Sequence, residues 1–249
     1  MLAIVSATHE EIAAIVDSLT NVTTQEFGRR RYHVGRFGET EVVVVFSRWG
    51  KVAAAATATQ VVTSYAATEV IFTGVAGAID PALAIGDIVV GSELLQHDMD
   101  ATPLFPRYEI PLLGKAAIPT DPALRARLSV AAQEFLRQDI RTRVPESELA
   151  AFNISSPKVR NGLIASGDKF FARADEIDTL RQRLPVALCV EMEGAAVAQV
   201  CDEYGVSFGI VRTISDTADH NSVHDYPRFS REIAGHYSAG ILSRFLNKG

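Results

Sequence analysis

The stretch Leu2-Ala3-Ile4-Val5-Ser6-Ala7-Thr8-His9-Glu10-Glu11-Ile12-Ala13-Ala14-Ile15-Val16 changes its pattern midway. Leu2 to Val5 is an unbroken apolar run of strand length, as expected for a strand buried on both faces. From Glu10 the apolar residues Ile12, Ile15, Val16 and Leu19 fall at helical spacing, so Glu10 to Leu19 reads as a helix. A buried strand that feeds into an amphipathic helix points to α/β architecture.

Working outward, the same alternation continues. Arg31 to Val34 and Glu41 to Phe46 read as paired strands joined by a turn at Gly38 to Thr40. Lys51 to Tyr65 is Ala-rich and helical in character, and Glu69 to Phe72 is a strand that enters a Gly-rich turn, Gly74 to Gly77. Asp87 to Leu95 is another strand. Ala101 to Thr120 carries Pro103, Pro106, Pro111 and Pro119 and reads as a long loop of the kind that usually contacts a ligand or partner. Pro122 to Arg137 is a helix with Asp121 as its N-cap. Beyond it come a strand at Lys158 to Ala165, a helix at Ala174 to Gln182, a strand at Ala187 to Val190, a helix at Met192 to Tyr204 and a strand at Phe208 to Thr213. A last helix, Pro227 to Leu246, starts with Pro in its first turn. The expected fold is a three-layer α/β/α sandwich around a central mixed, twisted β-sheet, as a single domain over 1–249.

Composition narrows the partners. The net charge is −6 with no basic tract, which argues against nucleic acid, since phosphate contacts need clustered Lys and Arg. The N-terminal apolar run is too short for a signal peptide or a membrane span. The two cysteines, Cys189 and Cys201, sit in apolar stretches and read as reduced core residues. A cytoplasmic protein is the expectation.

In open α/β sheets ligands sit beyond strand ends, and acidic groups recur there: Glu11, Asp168, Glu191, Glu193 and Asp216. Each has an ordinary structural reading. Glu10, Glu11, Glu191 and Glu193 suit the first turn of a helix, Ser215 and Asp216 suit a cap, Gly74 to Gly77 suits a tight turn, and Phe170 and Phe171 suit a core. Their order and combination carry more than any one of them.

That combination resembles the nucleoside phosphorylase/hydrolase superfamily and, within it, the 5'-methylthioadenosine/S-adenosylhomocysteine nucleosidases. The resemblance runs through Ile4 to Glu11, Trp49 to Ala54, Thr73-Gly74-Val75-Ala76-Gly77, Gly86 to Val90, His97-Asp98, Ser166-Gly167-Asp168, Val190-Glu191-Met192-Glu193 and Arg212-Thr213-Ile214-Ser215-Asp216. It implies hydrolysis of the N-glycosidic bond of an adenine nucleoside. Asp216 would be the general acid at N7 of adenine, with a carboxyl that burial keeps protonated. Glu11 would activate water, and Glu193 would accept hydrogen bonds from the ribose hydroxyls. Met192 would pack under the ribose, Phe170 would stack on adenine and the Phe171 backbone would read its edge. Thr8, Val75, Ala76, Gly77 and Glu191 would complete the substrate site. Ser215 and Arg212 would support Asp216 and the acidic cluster, and Trp49 and Tyr226 would face the 5'-substituent. The Pro-rich loop would reach the neighbouring subunit of a homodimer, with Leu104 and Phe105 lining the partner's 5' pocket.

Three positions depart from the pattern. Val75 stands where many members have Ser, and Thr8 and Trp49 where Met and Ile are common, so preference at the 5' side is open. A phosphorylase of the same fold would want a cationic phosphate pocket, whereas Glu11 suits water. A futalosine-type hydrolase would share the adenine and ribose machinery, and a non-catalytic nucleoside-binding or storage protein would be expected to lack Glu11 and Asp216. No metal and no organic cofactor are expected. His9, His33, His97, His220, His224 and His236 show no convincing ligand spacing, and His220 and His224 fall in a loop-like stretch.

Overall fold

The computed structural model describes residues 1–217 and 222–247. Its sheet is built on the first strand, β1 (Leu2–Ser6), whose alternation divides two cores. Ala3 and Val5 point into one apolar cluster, and Leu2 and Ile4 into another on the opposite face. Helix α1 (His9–Val16) follows and packs Ile12 and Ile15 on the second face. Thr8 caps it through its hydroxyl. The hairpin β2 (Thr20–Phe27) and β3 (Arg30–Phe37) leads to β4 (Thr40–Phe46), which lies parallel to β1. Strand β2 was not anticipated, because its residues are mostly polar and all of them are exposed at the sheet edge.

Helix α2 (Lys51–Tyr65) covers the first face and has the bounds read from the sequence. The next strand, β5 (Glu69–Ala78), corrects the expected turn, because it runs straight through Gly74 to Gly77. Gly74 is needed for clearance: a Cβ there would lie 3.0 Å from Arg212 Nη1. After β6 (Ile88–Gln96), the Pro-rich segment is mostly loop, with a short strand β7 (Ala117–Pro119) against β6. Helix α3 (Pro122–Glu134) is capped by Asp121, whose carboxylate accepts from the N–H groups of Ala123 and Leu124 at 2.9 Å. A π-turn at Phe135–Asp139 and short helices α4 (Ile140–Arg143) and α5 (Glu146–Ala151) follow, and β8 (Val159–Ser166) lies parallel to β6.

Helix α6 (Ala174–Arg183), strand β9 (Ala187–Glu191), helix α7 (Gly194–Tyr204) and strand β10 (Ser207–Asp216) complete the sheet. Among the described residues the order is β10-β6-β8-β9-β5-β1-β4-β3-β2, with β10 also paired to β5. The mixed sheet therefore closes on itself around β5, and it carries helices on both faces, as anticipated. The last helix starts earlier than expected. It opens as α8 (Ser222–Phe229) with Pro227 inside it, passes through a π-turn at Ser230–Ala234 and ends as α9 (Gly235–Leu246). His224 is therefore helical, not in a loop, whereas His220 lies outside the described residues. Among the described residues, no helix is long and apolar enough to cross a membrane.

Candidate active site

The carboxyl ends of β1, β5, β9 and β10 converge on one cleft, open to solvent on one side. Thr8, Glu11, Trp49, Val75, Ala76, Gly77, Phe170, Phe171, Glu191, Met192, Glu193, Arg212, Ser215, Asp216 and Tyr226 all line it. Leu104 and Phe105 do not: within this chain they lie on the Pro-rich loop, away from the cleft, and Leu104 is 84% exposed. Ala7, Gly74, Val190 and Lys169 also line the cleft, and the sequence had assigned none of them a role there. The first three are apolar or side-chain-free. Lys169 lies 5.0 Å over the Phe171 ring and pairs with Glu176 at 3.0 Å.

Glu11 is fully buried, and burial raises its carboxyl from 4.5 to about 6 against the opposing pull of the Ser6 hydroxyl and the Arg212 charge. Ser6 Oγ donates to Glu11 Oε2, while Oε1 has no hydrogen-bond partner among the described residues. In the same cleft, Ser215 Oγ donates to Asp216 Oδ2 at 2.8 Å, and Asp216 is buried. Ser215 and Asp216 sit where β10 ends beside β5.

Glu191 and Glu193 are two residues apart but have different surroundings. Glu191 accepts from Ser166 Oγ, from the Gly194 N–H at 2.8 Å and from Arg212 Nη2 at 2.7 Å, all in the interior. Its carboxylate is saturated by the protein. Arg212 also lies 4.1 Å over the Phe72 ring, so its charge is held by Glu191 and Phe72. Glu193 accepts the Gly50 N–H at 2.8 Å through Oε1, and burial beside the Glu191 charge lifts its carboxyl to about 8.

Gly50 has φ +89, and a Cβ there would meet Asp168 Oδ1 at 3.0 Å. It therefore has to be glycine at the start of α2, and as such supplies no capping side chain. Asp168 takes that part from a distance, accepting the Lys51 N–H at 2.7 Å. Lys51 Nζ in turn pairs with Asp98 at 2.7 Å, and Asp98 accepts the Asp168 N–H at 2.9 Å. Asp168 and Asp98, both marked in the sequence, thus brace the cleft from outside it.

The open side is aromatic. Tyr226 meets Trp49 edge-on with ring centroids 5.8 Å apart, and meets Phe170 at 5.7 Å. Trp49 is 58% exposed and Phe170 44%, which leaves ring faces free for a flat or apolar ligand. Burial and the charges of Glu11 and Glu193 raise the Tyr226 hydroxyl, so it stays protonated.

The family model described as the phosphorylase superfamily matches residues 1–247. A 5'-methylthioadenosine/S-adenosylhomocysteine nucleosidase of Shewanella putrefaciens is 34% identical over 247 residues, covering 99% of this chain and 98% of that one. The nucleosidase of that name from Neisseria meningitidis, solved with methylthio-immucillin-A, superposes with a TM-score of 0.87 at 28% identity, covering 100% and 99% of the two chains. Futalosine hydrolase of Helicobacter pylori superposes at 0.85 with 29% identity, covering 100% and 97%. The chain belongs to the phosphorylase superfamily and, within it, to the 5'-methylthioadenosine/S-adenosylhomocysteine nucleosidase family.

Proposed function

We propose that this chain hydrolyses the N-glycosidic bond of 5'-modified adenine nucleosides, 5'-methylthioadenosine and S-adenosylhomocysteine, releasing adenine. The observation that carries the reading is the pairing, in one buried cleft, of Glu11 with a free carboxylate oxygen and Asp216 braced by Ser215. Breaking the bond requires a proton on the departing purine and a deprotonated water at C1'. Two carboxyl groups with separate roles meet both needs. Asp216 delivers the proton to N7, and Glu11 Oε1 orients and deprotonates water. Glu193 receives the ribose hydroxyls, Met192 packs under the sugar, and Phe170 stacks on adenine. The Phe171 backbone meets the adenine edge, and Trp49 and Tyr226 flank the 5'-group. Glu191 completes the substrate site, and its pairing with Arg212 holds the floor of the cleft.

Water is favoured over phosphate because, among the described residues, the lysine and arginine lining the cleft are engaged: Arg212 by Glu191 and Lys169 by Glu176. A phosphate would also meet the Glu11 carboxyl. A homodimer fits the exposed Leu104 and Leu112 of the Pro-rich loop, with Leu104 and the half-buried Phe105 reaching the partner's 5' pocket. Two buried, unpaired cysteines suit a reducing cytoplasm.

A substrate panel tests the reading. Free adenine is scored from methylthioadenosine, S-adenosylhomocysteine, 5'-deoxyadenosine and the adenine-bearing 6-amino form of a futalosine-type nucleoside, with and without phosphate. Adenine release that is independent of phosphate is expected. A phosphate requirement, or no adenine from any of the four, overturns it.

A further inference from the structure

The alternation that sends Leu2 and Ile4 to the α1 side of the sheet sends Ser6 there too, directly beneath the first turn of α1. The Ser6 backbone is fixed on both sides. It pairs with Phe46 of β4 and Thr73 of β5, and its carbonyl accepts the Ser47 N–H at 2.8 Å. Its side chain is fully buried. The hydroxyl oxygen accepts the Thr8 N–H at 3.4 Å, which turns the hydroxyl proton toward Glu11 Oε2, and Ser6 donates there.

We infer that Ser6 is a positioning residue for the hydrolysis: its hydroxyl occupies one oxygen of the Glu11 carboxylate and so presents the other, Oε1, to the attacking water. The inference rests on Glu11 acting as the base. A carboxylate free to rotate would offer water either oxygen at varying angles. One held at Oε2 and capped at its helix by Thr8 offers a single oxygen in a single direction. The charged and titratable groups around Glu11 are Arg212 on β10, Tyr226 on α8, and Glu10 on its own helix. Arg212 is engaged by Glu191, so Ser6 is the direct hydrogen-bond donor from the sheet.

A donor to a carboxylate favours its ionised form, so removing the hydroxyl makes Glu11 harder to ionise. The experiment is the pH profile of kcat for wild type, Ser6→Ala and Ser6→Gly, with thermal unfolding measured on each. In both variants the acid limb moves to higher pH, and kcat near pH 6 falls roughly tenfold or more, the scale of a lost hydrogen bond to a charged group. A hydroxyl that only fills space would change unfolding and leave the limb in place, and a limb unmoved in both variants overturns the inference. Glu11→Gln separates the two readings. If it abolishes turnover while the limb of Ser6→Ala stays put, Ser6 alone is misassigned. If Glu11→Gln remains active, the base itself is wrong.

Discussion

Arg212 Nη2 and Glu191 Oε2 lie 2.7 Å apart with both side chains almost wholly buried. Taking one partner away leaves the other charge in the interior, which typically costs about 3–5 kcal/mol. Glu191→Ala should therefore lower stability by that order in denaturant unfolding. Arg212→Met, which removes the other charge, should also destabilise, since Glu191 keeps Ser166 and backbone donors but loses its counter-charge. If Glu191→Ala unfolds at the wild-type midpoint, the pair is not what anchors the floor of the cleft.

Glu11→Gln and Asp216→Asn should each lower kcat by at least roughly a hundredfold with folding intact, the usual scale for an acid–base group. The wild-type rate should also fall as pH drops below about 6, because a Glu11 that acts as the proposed base must be ionised and burial holds its carboxyl near that value. Steady-state rates of adenine release across pH 4.5–8 check both points. Near wild-type turnover in either variant would remove that residue from its role.

Glu193 gives a stability prediction of the opposite sense to an ordinary ion pair. Its carboxyl is raised from 4.5 to about 8, so the folded chain holds this proton more tightly than the unfolded chain does. The resulting contribution is complete below about pH 4.5 and is lost as pH rises through about 8. Glu193→Gln keeps an acceptor for the Gly50 N–H and removes the titration. It should flatten Tm against pH across that window and leave the variant more stable than wild type at pH 8. A gain of only ~1 kcal/mol would move Tm by about 2–4 °C in a chain of this size. Parallel Tm profiles for the two proteins would contradict this.

Some of this was legible in the residues themselves. Buried strands such as β1 announce themselves as apolar runs, and α2 could be bounded from its Ala-rich composition alone. The strand-end motifs that pointed to Glu11, Met192, Glu193 and Asp216 do meet in one cleft. What stayed hidden depends on neighbours remote in sequence. Gly74 reads as a turn residue until Arg212 is found beneath it. Glu191 and Glu193 look alike until one meets Arg212 and the other meets Gly50. Strand β2 has no apolar periodicity because neither of its faces is buried. Pro227 marks a helix start by local rules, yet Ser222 is already helical.

Trp49 stands beside Tyr226 at the open side of the cleft with more than half its surface free. A 5'-substituent that leaves the sugar in that direction meets an indole face. Trp49→Ala should raise KM for methylthioadenosine roughly tenfold or more, the scale of removing an apolar group from a binding pocket. The effect on adenosine, which has no apolar 5'-group, should be smaller, and kcat should hold for both. Equal KM changes for the two substrates would show that Trp49 senses the nucleoside as a whole and not its 5' end.

The Pro-rich loop presents Leu104 at 84% and Leu112 at 93% exposure, and Leu113 is packed on the core behind them. Large apolar side chains set so far out usually have a covering surface in the assembled protein. If that surface is a second copy whose cleft the loop completes, a charge at the tip should act in two ways. Leu104→Glu should weaken the dimer in sedimentation experiments at micromolar concentration. It should also raise KM for methylthioadenosine in the dimer that remains, because the altered side chain would stand in the partner's 5' pocket. The proposed base and acid, Glu11 and Asp216, lie elsewhere in the chain, so kcat at saturation should change little. A wild-type protein that sediments as a monomer would remove the partner from the site, and the loop would then need another cover.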